Sequence, residues 1–146
     1  MRELSACLLM LCILMAGSGA WAQGPVAVVK TLKPDVYLER DGERMELKLG
    51  ERVYPGDTIV TDSQGAVGVI FRDGAVLSLG PSSTFVLDSF LFAPEEEVYG
   101  FDGQILSGTA SFLSGAMSRI APEKMVIRTP LAIIGLRGTK VLIQVQ

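Results

Sequence analysis

The chain has 146 residues, with 13 Lys+Arg against 16 Asp+Glu, no His and two Cys, for a net charge of −3. That length fits one domain, and the acidic balance argues against nonspecific nucleic-acid binding. With no His, and with Cys7 and Cys12 both close to the N-terminus, the rest of the chain lacks the usual Zn, Cu and haem ligands and any Ser-His-Asp or Cys-His arrangement.

Residues 1–22 read as a signal peptide. Leu4 to Ala16 is almost wholly apolar, Gly17-Ser18-Gly19 follows, and Ala20-Trp21-Ala22 has the A-x-A form that signal peptidase accepts. Cleavage is expected between Ala22 and Gln23. The alternative is an uncleaved anchor, but the apolar stretch falls short of the ~18–20 residues a spanning helix requires. A lipobox reading of Leu4-Ser5-Ala6-Cys7 fails because Cys7 precedes the hydrophobic stretch. Cleavage removes both cysteines, so the mature chain, residues 23–146, is expected to have no disulfide and to hold itself together by its core.

From Gln23 onward the periodicity is that of strands. Met45, Leu47 and Leu49 alternate with Arg44, Glu46 and Lys48, which predicts one apolar and one charged face. Ala66 to Phe71, Leu131 to Leu136 and Val141 to Val145 are apolar almost throughout, as strands covered on both sides would be. Asp41-Gly42, Asp73-Gly74 and Asp102-Gly103 each read as a hairpin turn, and Pro55-Gly56-Asp57 and Gly80-Pro81-Ser82 as further turns. Pro94-Glu95-Glu96-Glu97 reads as an exposed acidic loop. Ser107 to Ile120, rich in Gly, Ala and Ser, fits either a short helix or a weak strand pair; Phe112, Leu113 and Met117 would share a helical face. Pro130 must interrupt the ladder between a Met125–Arg128 strand and the run after it. The spacing predicts an all-β fold: a single compact, antiparallel-rich roll or sandwich of short strands.

A search for chemistry finds no nucleophile elbow, no P-loop, no dinucleotide fingerprint and no EF-hand spacing. The carboxylates lie on polar faces and at turns, where solvation accounts for them. No enzyme activity, metal or cofactor is expected. Charge is uneven: residues 23–100 hold 7 Lys+Arg and 13 Asp+Glu, whereas residues 101–146 hold 5 and 2. Arg119, Lys124, Arg128, Arg137 and Lys140 are either scattered solvated charges or a patch for an anionic partner.

Two motifs are more specific. The first runs Gly56-Asp57-Thr58-Ile59-Val60-Thr61-Asp62 through Gly65-Ala66 to Phe71-Arg72-Asp73-Gly74. The second runs Arg128-Thr129-Pro130-Leu131-Ala132-Ile133-Ile134-Gly135-Leu136-Arg137-Gly138-Thr139-Lys140. In this order they resemble the FecR domain, whose pattern is G-D-x-I-x-T early and T-P-x-A-x-x-G-[VI]-R-G-T late. The resemblance spans about Val26 to Gln146; Ala75 departs from it, standing where Ser or Thr is common. The motif residues read first as fold signatures, with binding as the alternative. Gly56 and Gly74 permit tight turns, while Asp57 and Asp62 can accept backbone N–H bonds. Thr61 and Asp73 belong to the early signature. Thr129 and Pro130 redirect the chain. Gly135 and Gly138 bracket Arg137 and would allow a bulge or close backbone approach, with Thr139 completing the signature. Arg137 is expected to tie this turn to Asp62 or Asp57.

The resemblance implies a non-catalytic binding module. In the proteins that name the family, this domain is the periplasmic part of a membrane-spanning regulator of an extracytoplasmic-function sigma factor, and it senses an outer-membrane transporter. Here neither a cytoplasmic segment ahead of the single hydrophobic stretch nor a spanning helix after it is expected, so anti-sigma activity is not carried over. The expectation is an exported protein, periplasmic or else surface-bound or secreted, that binds an envelope protein and no nucleic acid. Peptidoglycan or polysaccharide binding is the alternative, weakened by the lack of Trp after Trp21. For a protein partner, the Val141–Gln146 edge is the predicted docking surface.

Overall fold

A computed structural model describes residues 23–138 and 140–146; the expected signal segment and Thr139 lie outside the described residues. Among the described residues there are twelve strands. They are β1 (Ala27–Lys33), β2 (Val36–Arg40), β3 (Glu43–Glu46), β4 (Arg52–Val53), β5 (Thr58–Thr61), β6 (Ala66–Phe71), β7 (Val76–Leu79), β8 (Thr84–Ala93), β9 (Val98–Leu113), β10 (Met125–Arg128), β11 (Ile133–Gly135) and β12 (Lys140–Val145). They form one curled sheet in the order β3-β2-β5-β8-β9-β7-β6-β1-β4. On the far side of β9 lie β10, which carries β11, and β12. Every pairing is antiparallel except β9 with β10. The all-β, antiparallel reading therefore stands, as a roll shaped like a half-barrel.

The long strand β9 joins the two halves of this roll. Its first part, to Ser107, pairs with β8, and Phe101 to Gln104 also pair with β10. Its second part pairs with β7 and β12. Between the two, the β8–β9 register slips at Thr84/Phe85, opposite Ile105 and Ser107, and Gly108 takes φ +84°. A Cβ on Gly108 would strike Ser83 Oγ and come within 2.5 Å of Ser82 O and Ser83 Cα. Only glycine fits so close an approach in a left-handed backbone. The bulge also resets the side-chain phase. Phe101, Gly103 and Ile105 face inward before it, and Ala110 and Phe112 after it. Both parts of β9 thus feed one core, with Phe101 5.2 Å from Phe112 and 5.4 Å from Phe71, and Phe71 5.4 Å from Phe90. Each such ring pair adds about 0.5–1.5 kcal/mol beyond area burial.

Several local expectations change. Asp41-Gly42 is a hairpin turn with φ +52° and +79°, and Gly74 turns β6 into β7 with φ +84°. Asp102-Gly103, however, lies inside β9, where a Cβ on Gly103 would sit 2.7 Å from the Phe85 ring. Glycine there makes room for an aromatic side chain rather than for a turn. Ser107 to Ile120 divides: the strand runs to Leu113, and the helix is a single turn, Met117–Ile120, so Phe112 and Leu113 share no helical face with Met117. Leu47 is buried, but β3 ends before it and Leu49 is 66% exposed. The Leu131–Leu136 run is not covered on both sides. After Pro130 it forms only the short strand β11; Leu131 is 97% and Ile133 73% exposed, while Leu136 is buried in the core and Ile134 packs against it. Strand β12 is likewise one-sided: Ile143 is buried and Leu142 is 74% exposed.

Candidate functional site

The polar signature residues go to separate places. Asp57, 1% exposed, follows the β4–β5 turn. Its Oδ1 accepts from Arg40 Nε at 2.8 Å, and its Oδ2 accepts from Arg40 Nη2 and from the Tyr54 N–H, each at 2.8 Å. Arg40 Nη2 also donates to Arg52 O at 3.1 Å, and the guanidinium lies 4.6 Å from the centre of the Tyr54 ring. The bonds to Asp57 raise the Arg40 pKa above its already high value, against the opposing effect of burial. This two-pronged bond fixes β2 to the β4–β5 turn. Gly56 supplies that turn's left-handed residue.

Thr61 and Ser83 form a second network. Thr61 Oγ1 donates to Gly80 O at 2.6 Å and accepts from the Ser83 N–H at 2.9 Å. Ser83 Oγ accepts from the Thr109 N–H at 2.9 Å, which holds the bend of β9. Asp62 uses its backbone here: its N–H donates to Asp35 O, and its carbonyl accepts from Gly65 and Ser82. Its exposed carboxylate has a loose 3.8 Å pairing with Arg44 and caps no backbone N–H among the described residues. Asp73 is buried in a third place, where its carboxylate accepts from Ala75 N–H at 3.1 Å and from Met117 N–H at 3.3 Å. It ties the short helix to the β6–β7 turn.

The late motif forms a hairpin. The Thr129 N–H donates to Ala132 O at 2.8 Å, and Thr129 Oγ1 accepts from Ala132 N–H at 3.0 Å, closing the turn that contains Pro130. Arg128 pairs with Asp102 at 2.8 Å across β9 and β10. Arg137 does not make the expected tie. It is exposed and has no ion-pair partner among the described residues, because Asp57 is held by Arg40 and Asp62 faces Arg44. Nor do Gly135 and Gly138 mark a close approach: no described atom lies within 4 Å of a Cβ built on either, and Gly138 instead takes φ +55°.

The early and late motifs therefore do not converge on one polar centre. Among the described residues no three His, Cys, Asp or Glu are grouped to hold a metal. No helix among them is long and apolar enough to cross a membrane. What the fold does assemble is an apolar groove of about 500 Å³ between the β10–β11 turn and β12, lined by Pro130, Leu131, Ile134, Leu142, Ile143 and Val145 among others. Residues 142–146 contribute to its lining, and among the described residues no strand pairs with β12 on the side away from β9. Arg137 and Lys140, both exposed, stand at the start of β12. Sequence reasoning placed the Val141–Gln146 edge but missed Leu131 and Ile133, whose apolar run resembled a buried strand. It also missed Arg40 and Ser83, which no local pattern distinguishes.

The family model described as FecR protein matches residues 57–146, from the buried carboxylate of β5's leading turn to the end of β12. No curated protein and no solved structure matches the chain.

Proposed function

Because the chain belongs to the FecR family, a family of sensing and regulatory domains, we propose that it is an exported, non-catalytic module that binds an envelope protein through the open β11–β12 edge. The observation that carries this reading is a division of labour among its residues. The buried signature groups Asp57, Thr61 and Asp73 all have backbone or side-chain partners within the fold. The large apolar side chains Leu131, Ile133 and Leu142 have lost no comparable area to the core. Apolar groups grouped at an unpaired edge favour association, because burial gains roughly 25 cal/mol per Å² and the edge offers unpaired N–H and C=O groups. The family match begins at Asp57, but β1, β2 and the Arg40–Asp57 pair make residues 23–56 part of the same sheet.

Export rests on the reading of residues 1–22 as a signal peptide, and the periplasmic position on the FecR membership. Polysaccharide binding has less support. The two tyrosines best placed to stack on a sugar are engaged, Tyr54 by Arg40 and Tyr99 by Phe92 at 6.1 Å. The test is a photo-crosslinking side chain at Leu142, with Leu91 as control, in cells that make the full chain, alongside sedimentation with purified sacculi. A discrete protein adduct at position 142 and none at 91 is expected. Sedimentation with sacculi, undiminished by Leu142→Lys and without any adduct, would replace this reading with the polysaccharide one.

A further inference from the structure

We infer that the groove along β12 takes an extended, acidic peptide segment of the partner as an added strand. This rests on the protein-binding reading and specifies its occupant. Strand β12 pairs with β9 on one side, and among the described residues no strand pairs with its other side. The lining from Leu142 to Gln146 offers about 17 Å of strand edge at ~3.3 Å per residue. The span suits five or six residues in extended form. An added strand would place alternate side chains beside Ile143 and Val145, extending the core, and the others beside Leu142 and the tip at Leu131.

Charge selects the occupant. Of the cations near this edge, Arg128 is engaged by Asp102, while Arg137 and Lys140 are exposed without an ion-pair partner among the described residues. Glu123 and Asp102 are the only acidic side chains after residue 100, and neither lines the groove. A strand with apolar residues at alternate positions and carboxylates between them complements both features. A basic strand would meet like charge. A second copy pairing antiparallel through its own β12 would set the Arg137 and Lys140 of each copy at opposite ends of the ladder, where neither set meets an acidic side chain.

The experiment uses the purified full chain and blocked fluorescent heptapeptides in which Val or Leu alternates with Glu, Gln or Lys, read by anisotropy and by backbone-amide NMR. Binding in the order Glu over Gln over Lys is expected, with the largest amide shifts at residues 140–146. Arg137→Glu with Lys140→Glu should weaken the Glu peptides about tenfold or more and reverse the order, and added salt should narrow it. N-methylation of alternate peptide amides, which blocks ladder pairing, should abolish binding. Equal binding of Glu and Lys peptides, or shifts away from β12, overturns the inference. So does binding of no peptide, or concentration-dependent dimerisation lost in Leu142→Lys. If position 142 still crosslinks an envelope protein in those cases, the protein-binding reading survives and only its occupant is wrong.

Discussion

Replacing Gly108 by alanine tests whether the bend in β9 is what holds the two halves of the roll together. The added Cβ would strike Ser83 Oγ and lie 2.5 Å from Ser82 O and Ser83 Cα, and the backbone there has φ +84°. A left-handed non-glycine residue costs about 1–2 kcal/mol, and overpacking against backbone a further ~1–3 kcal/mol. Displacing Ser83 also weakens its 2.9 Å bond from the Thr109 N–H, worth about 1 kcal/mol. The expected loss is about 3–6 kcal/mol, a large share of the ~5–15 kcal/mol that stabilises a domain. Gly100→Ala, in the same strand, is the matched control. The atoms nearest its Cβ would be those of the Leu91 side chain, from 3.6 Å, in ordinary contact. It should change stability by less than about 0.5 kcal/mol. Urea unfolding followed by far-ultraviolet circular dichroism measures both, since the single Trp, Trp21, lies ahead of the described residues. Equal effects of the two substitutions, or a loss below about 1 kcal/mol at Gly108, would refute the assignment of the bend to close packing.

Arg40→Met should destabilise by about 2–4 kcal/mol in the same urea assay, because it leaves the buried Asp57 carboxylate with the Tyr54 N–H alone. Adding Asp57→Asn should recover part of that loss; strictly additive losses would show that the two side chains do not act as a pair. Asp73→Ala should cost about 1–3 kcal/mol and speed hydrogen exchange at Ala75 and Met117 ahead of the core strands. Unchanged exchange at Met117 would mean that the helix does not depend on the Asp73 carboxylate and is held by other ties, such as the Ala116 N–H to Asp73 O bond.

Much of the sheet was legible because short-range alternation and turn residues are local signals. Asp41-Gly42 and Asp73-Gly74 mark two of its turns directly, whereas the Ala66–Phe71 run, read as covered on both sides, leaves Ile70 exposed. Strand β9 was hidden for a physical reason. Its inward phase passes from odd to even residues across Leu106 to Gly108, so no single period spans it. The small residues that crowd this bend suit no local template. Asp102-Gly103 misled for a related reason: a dipeptide with turn chemistry stands where a neighbouring ring needs space. Long-range polar pairing was not legible. Arg40 and Asp57 are 17 positions apart and Ser83 and Thr109 are 26 apart, and nothing in either segment announces the other. The expectation that Arg137 would reach Asp57 assumed that a charged signature residue must have an internal partner, whereas Arg40 already fills that place.

Comparison of the sheet edges gives the strongest physical reason to treat one of them as an interface. Strand β3 is an edge that carries Glu43, Arg44 and Glu46 among four exposed residues. Charges of that density discourage pairing with another chain, since each would be desolvated on docking. The β11–β12 side has the opposite composition. Its exposed residues include Leu131, Ala132, Ile133, Leu142 and Gln144, with the cations Arg137 and Lys140 where β12 begins. Stability does not require that difference, because neither edge supplies the aromatic centre of the core, which β6, β8 and β9 provide. An edge protected by charge at one end of a sheet and left apolar at another distinguishes where pairing is resisted from where it is favoured. A partner strand on β12 would bury what the fold leaves bare and would bring Arg137, which has no ion-pair partner among the described residues, against a charge of opposite sign.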